Sequence, residues 1–369
     1  MTPPQSDETA SPTSCPSSPN AIPSKTQSPK RVFLHIGFEK TGSSAIQAFC
    51  SRNREWLNSH DIEYPQIGSL PQHVSIHFDI SSRNPRRIQS LTKNLRQRID
   101  AAPCQNIIFS HESLHLHNPQ IFRSIFAGYD TRIIAYLRNP TQTAISHFAT
   151  MIRFGKLPVH NLPQAIRSYS KNTLPVFDYY WGLKAYASAF GHENIIVRHY
   201  NPDTLVGGQT TTDFLHLLGV DDLTTSLWPS ARANPSLDAD QFELVARLAR
   251  LLKDRPRKTI LKTTRRICNE FAKESSPDTD RPFELLVPER LKRKITRYFE
   301  PTLPLLYRDF FEHKPIFEPT PTHSSPAPEV STKRLKELHR VLIKSKIVAP
   351  DLLDQLKPEP CPPLDALNA

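Results

Sequence analysis

Residues Arg31–Phe49 read RVFLHIGFEKTGSSAIQAF. Val32, Phe33, Leu34 and Ile36 form a short apolar run with β-branched and aromatic members, cut off by Gly37, which is the pattern of a buried strand. Downstream, Ile46, Phe49, Cys50 and Leu57 recur at helical spacing, so a helix running to about Asn58 follows, capped by Ser43 or Ser44. Between strand and helix lie Gly37, Lys40, Thr41, Gly42, Ser43 and Ser44. Glycines let the backbone turn tightly, the freed N–H groups and hydroxyls converge, and the helix dipole favours an anion there. Lys40 adds a mobile positive charge. In strand–turn–helix order this is a phosphate cradle rather than an ordinary glycine turn.

The order of residues inside the turn narrows the ligand. A nucleotide-hydrolysing loop reads G-x-x-x-x-G-K-[ST], with lysine after the second glycine. Here Lys40 precedes Gly42. That order resembles the 5′-phosphosulfate loop of sulfotransferases that use 3′-phosphoadenosine 5′-phosphosulfate (PAPS).

Further along, apolar runs mark strands at Asn106–Ser110, Thr131–Arg138 and Asn194–Tyr200, with a short extended piece at Ile62–Tyr64. Helices are expected around His73–Ile80, from Pro85 through Ile88, Leu91, Leu95 and Ile99, and near Pro119–Phe126. Others follow from Pro140 to about Phe154, over Phe177–Phe190 and near Gly208–Leu218. Strands separated by helices imply right-handed crossovers, so the expected class is α/β: three layers, α/β/α, around a mostly parallel sheet. Ligands of such sheets sit at the carboxyl ends of the strands. Extra helices are expected around 237–253, 258–274, 288–299 and 301–311. The expected division is a Ser/Pro-rich arm over 1–30, a domain over 31–312, a Pro-rich linker over 313–331 and a basic helix or helix pair with its tail over 332–369.

A second anion grip follows the strand that ends at Arg138. The sequence R-N-P-T-Q-T-A-I-S puts Arg138 at a strand end and Ser146 two turns into the helix that Pro140 starts, so a planar guanidinium and a hydroxyl can converge. The pattern resembles the R-x-P-x-x-x-A-x-S motif with which sulfotransferases grip the 3′-phosphate of PAPS. With both motifs present, residues 31–310 resemble the PAPS-dependent sulfotransferase superfamily in its bacterial carbohydrate-type branch, and the segment Phe190–Gly219 and N-P-S-L at 234–237 share the likeness. The resemblance implies a P-loop NTPase-like fold, PAPS as co-substrate, no required metal, and a hydroxyl or amine acceptor on a carbohydrate. It assigns the 5′-phosphate to Gly37, Lys40, Thr41, Gly42, Ser43 and Ser44, the 3′-phosphate to Arg138 and Ser146, and the leaving-group charge to Lys40. For the base it points to His73, with His77 one turn on, or to Glu112.

Residues 111–115 read H-E-S-L-H, a literal match to the zinc-protease signature. The following Asn118-Pro119 leaves no sustained helix to hold His111 and His115 on one face, so this reading is set aside. A kinase or NTPase, and a non-catalytic binder of anionic glycans, remain as alternatives. With 47 Lys and Arg against 36 Asp and Glu, the net charge of +11 suits an anionic ligand, although nucleic acid is not the expected partner. Five scattered cysteines without C-x-x-C, no signal-peptide pattern and no long apolar run together predict a cytoplasmic protein without a membrane anchor. Tyr179, Tyr180, Trp181 and Tyr186 are expected in the core, while 66–84 and 155–176 are read as loops that recognise the acceptor.

Overall fold

A computed structural model describes residues 29–153, 156–157, 162–221, 238–252, 254–271, 273, 287, 289–318 and 332–356. Residues 1–28 of the expected arm over 1–30, N-P-S-L at 234–237 and most of the linker lie outside the described residues. In chain order the elements are β1 (Arg31–His35), α1 (Ser43–Arg52), α2 (Arg54–Ser59), β2 (Ile62–Glu63), α3 (Val74–Ser81), α4 (Pro85–Ala101), β3 (Asn106–Ser110), α5 (Pro119–Ile125) and β4 (Asp130–Leu137). Then come α6 (Pro140–Arg153), α7 (Leu162–Asn172), α8 (Tyr179–Phe190), β5 (Ile195–His199), α9 (Thr210–Leu217), α10 (Ala239–Leu251), α11 (Arg257–Phe271), α12 (Glu289–Phe299), α13 (Leu303–Phe310), α14 (Thr332–Ser345) and α15 (Pro350–Gln355).

The strands form one five-stranded sheet in the order β2-β3-β1-β4-β5, and every described pairing is parallel. β1 is the central strand, with His35 in register with Ser110 on one side and Ile134 on the other. After β1 the chain builds one half of the sheet, then crosses to build the other. The turn that leaves β1 therefore sits where the strand order reverses, at the carboxyl edge.

Side-chain alternation along the strands separates two cores. Val32, Leu34, Ile107, Phe109, Ile133 and Ala135 point to one face and pack with residues of α3 to α6, α8 and α12. Phe33, Ile108, Ile134 and Tyr136 point to the other and meet Ile46, Phe49, Leu57, Phe214 and Leu215. The helix–sheet–helix layering read from the sequence is thus present. Beyond it, Leu335, Leu338 and Leu342 of α14 pack on Leu244, Leu248, Ile267 and Phe271 of α10 and α11. Because Phe242 and Ala246 of α10 belong to the first core, α10 joins the C-terminal helices to the sheet.

Three expectations shift. The helix after the cradle breaks at Asn53, whose backbone lies at φ −114°, ψ 37°, giving two short helices. The stretch read as a loop over 155–176 contains α7, Leu162–Asn172. Trp181 is 56% exposed, whereas Tyr179, Tyr180 and Tyr186 are buried.

The second core contains an ion pair. Asp213, fully buried on α9, accepts hydrogen bonds from Tyr136 Oη at 2.8 Å, Arg198 Nε at 3.0 Å and the Val206 N–H at 3.1 Å, and pairs with Arg198 Nη2. Burial works against its charge, but these partners outweigh it and hold the carboxyl below the usual range. Asp213→Ala leaves Tyr136 and Arg198 unpaired, so urea denaturation is expected to show a loss of about 3 kcal/mol. A loss below about 1 kcal/mol contradicts this account.

Candidate active site

The turn after β1 passes very close to the chain after β3. Gly37 has φ 59°, and a Cβ placed on it would lie 2.5 Å from the Cα of Glu112. Lys40 and Gly42 also have positive φ, 66° and 82°. A Cβ on Gly42 would meet the Thr210 hydroxyl at 2.7 Å, so the start of α9 closes the turn from the other side. Gly42, not Ser43 or Ser44, is the N-cap of α1, and Ser43 is its first residue. Gly42 has no side chain to cap α1, so the first N–H groups of the helix receive no side-chain cap from it. Thr41 is buried and donates its hydroxyl to the Phe38 carbonyl at 2.6 Å, while Lys40 and Ser44 are exposed. Thr41 thus ties the turn, leaving its backbone to face a ligand.

Glu112, half-buried, lies beside this turn. Burial and the neighbouring Glu39 carboxylate raise its pKa, partly opposed by the charges of Lys40 and His147. The structure therefore brings the sequence candidates Lys40 and Glu112 together.

Arg138 follows β4, the strand next to β1, so it leaves the same edge as the Lys40 turn. It is half-buried, and its Nε is 3.4 Å from Gln142 Oε1. Asn139 starts α6 by accepting from the Thr141 N–H at 3.0 Å, which sets the direction in which the helix carries Ser146. The charge of Arg138 acts on Tyr179, whose ring meets that of Phe38 edge-on at 4.7 Å. Phe38 thus contacts a residue that senses the second grip.

His73 is placed differently. It is 1% exposed, its Nε2–H donates to the Pro65 carbonyl at 2.8 Å, and its Nδ1 accepts from the Ser110 N–H at 3.1 Å. It stacks on Tyr64 at 4.4 Å, and burial lowers its pKa to about 4. Both nitrogens hold backbone, so no ring nitrogen faces a substrate. His77 lies 3.0 Å, Nδ1 to Nε2, from His117 and stacks on His111. In the H-E-S-L-H segment a 3-10 turn, Leu114–Leu116, replaces a sustained helix. His111 Nδ1 accepts from the Ser113 N–H, and His115 Nδ1–H donates to the Glu112 carbonyl at 2.9 Å. These two rings brace the loop that carries Glu112.

Two residues absent from the sequence reading complete the setting. Glu39 Oε2 lies 3.0 Å from Nε2 of buried His147, and His147 Nδ1 lies 3.3 Å from the Tyr169 hydroxyl. No local pattern links Glu39 to α6 and α7.

Residues 29–202, which include the whole sheet and both grips, match the family model described as a sulfotransferase domain. Over that segment, a little under half of the chain, the protein is similar to sulfotransferase domains. No curated protein matches it. The crystal structure of a sulfotransferase from Alicyclobacillus acidocaldarius is similar over 60% of this chain and 94% of that chain, at 20% identity and a TM-score of 0.32. Among the described residues, no helix is long and apolar enough to cross a membrane.

The buried imidazoles make the fold acid-sensitive. His35, His73 and His115 have pKa values lowered by burial to about 3, about 4 and about 4. Between about 6.5 and those values the unfolded chain binds protons that the folded chain refuses. Stability is therefore full above about pH 6.5 and falls with pH below it, by about 1.4 kcal/mol per pH unit for each group. The urea midpoint is expected to drop between about pH 7 and pH 5, less steeply in His73→Gln; a flat midpoint contradicts this.

Proposed function

We propose that this chain transfers the sulfuryl group of PAPS to a hydroxyl of an acceptor, a carbohydrate by its resemblance, with Glu112 as general base. One observation carries the reading: the close approach of Gly37 to Glu112 puts a carboxylate of raised pKa beside the Lys40 turn, at the carboxyl edge that Arg138 shares. Chemically, the acceptor oxygen attacks sulfur, a new S–O bond forms, and the bond from sulfur to the bridging oxygen of the 5′-phosphate breaks. Glu112 takes the acceptor proton, and Lys40 meets the charge that develops on the departing phosphate. The turn from Gly37 to Ser44 supplies backbone donors for the 5′-phosphate, while Arg138 and Ser146 supply the fork and hydroxyl for the 3′-phosphate. The packing of His73 favours Glu112 as base, because a base must have a lone pair within reach of the proton it takes.

Calorimetry with adenosine 3′,5′-bisphosphate tests the donor site. The wild-type chain is expected to bind it, with affinity lowered about tenfold or more in Arg138→Ala and in Lys40→Ala. Glu112→Gln is expected to keep that affinity while losing about 100-fold or more in turnover. No binding, or binding indifferent to both cations, overturns the reading. Magnesium-dependent ATP turnover would replace it with a kinase or NTPase.

A further inference from the structure

The proposed donor site uses only a small part of the chain's positive charge. A second concentration lies on α12, outside the segment 29–202 that matches the sulfotransferase domain. Residues 289–299 read E-R-L-K-R-K-I-T-R-Y-F. Leu291, Ile295 and Phe299, each buried, set one face of the helix into the first core. Arg290, Arg293, Lys294 and Arg297 follow the spacing i, i+3, i+4, i+7, so they share a face turned away from that core, and all four are exposed. The stripe runs about 10 Å along the helix.

No acid interrupts it. From Arg290 to Phe299 the sequence contains neither Asp nor Glu. Glu289, at the helix start, is engaged by Lys292 at 3.6 Å, and Lys292 lies off the stripe. Like charges three and four residues apart repel on a helix surface, so the stripe works against the fold until an anion lies across it. Beside it Tyr298 is 37% exposed and offers a ring surface next to the charges.

The helix is also seated beside the proposed site. Thr296 lies between the stripe and the buried face, and its hydroxyl is 3.5 Å from that of Thr141 on α6, three residues after Arg138. A ligand along the stripe therefore runs alongside the helix that Arg138 precedes. We infer that the stripe binds an anionic polysaccharide, a linear chain bearing carboxylates or sulfates, and holds it as acceptor next to the donor site. The inference rests on the reading of the acceptor as a carbohydrate. A lipid surface fits less well, because an interfacial helix lays its apolar face into the bilayer, and that of α12 is already spent on the core.

Calorimetry on the full chain tests this with polygalacturonate and with dextran sulfate, against uncharged dextran as control. The anionic chains are expected to bind and dextran not, with affinity falling steeply between about 50 and 200 mM salt. Binding of either anionic chain supports the inference, and the tighter of the two identifies the charged group. Arg290→Gln, Arg293→Gln, Lys294→Gln and Arg297→Gln together are expected to weaken that binding about tenfold or more, with adenosine 3′,5′-bisphosphate bound as by wild type. Lys333→Gln, Lys336→Gln, Arg340→Gln and Lys344→Gln remove the same charge from exposed positions on α14, and are expected to cost less than about threefold. Circular dichroism and the urea midpoint report folding; if the fourfold α12 variant does not fold, Arg293→Gln with Lys294→Gln takes its place, with a severalfold loss expected. Absence of binding to both anionic chains, or equal losses from α12 and α14, overturns the inference and leaves the donor site standing. Stripe-dependent binding of single-stranded DNA or of phosphatidylglycerol vesicles that is tighter than that of either polysaccharide overturns it too. A chain that holds polysaccharide on the stripe but binds no adenosine bisphosphate overturns the functional reading, and with it the claim that the bound chain is an acceptor.

Discussion

The site depends on one close approach: the backbone at Gly37 runs against the backbone at Glu112 with no room for a side chain between them. Parallel strands stand about 4.8 Å apart, so the loops that leave β1 and β3 at the same edge begin as neighbours. They stay neighbours only if one of them lacks a Cβ. A substitution at Gly37 meets the Glu112 Cα at 2.5 Å and must also hold φ near 59°, so steric and torsional costs coincide. Glycine at this position therefore brings the Lys40 turn and the loop that carries Glu112 to one place. Thr210 of α9 presses on Gly42 in the same way, so the turn is held from both sides.

Much of the fold was legible because it is local. The run at Asn106–Ser110 is bounded by polar residues and matches β3, and proline at the first helical position marks Pro85, Pro119 and Pro140 as the starts of α4, α5 and α6. Apolar periodicity failed where something other than burial decides. Asn53 splits a helix whose apolar spacing continues across it, since the spacing does not encode the backbone angles of one residue. Trp181 shares the helical spacing of its tyrosine neighbours yet faces outward, because adjacent residues on a helix point about 100° apart.

The candidate site was legible in proportion to how closely its residues lie in sequence. Gly37 to Ser44 form one turn, and Arg138 with Ser146 form one strand–helix junction, so each grip carries its own pattern. Roles that depend on what faces a side chain across the fold are not written locally. An imidazole is a base only if one nitrogen is left for substrate. His73 spends both on Pro65 and Ser110, two backbone groups far apart in the chain, and nothing in the residues around it announces this. The triad of Glu39, His147 and Tyr169 is hidden for the same reason, and its third member sits on a helix whose presence the sequence reading missed.

A charge argument joins these observations. The turn proposed to hold a polyanion is an unfavourable place for carboxylates, yet Glu39 and Glu112 both lie there, and the charge of Glu39 acts on Glu112. Two such charges at one anion site are tolerable only if their effects differ. Burial works to raise the pKa of Glu39, but its contact with His147 and the charges around it, Lys40 among them, outweigh burial and lower it. Glu112 has its pKa raised by burial and by the neighbouring Glu39 carboxylate. Their environments push the two apart, the pKa of Glu39 down and that of Glu112 up.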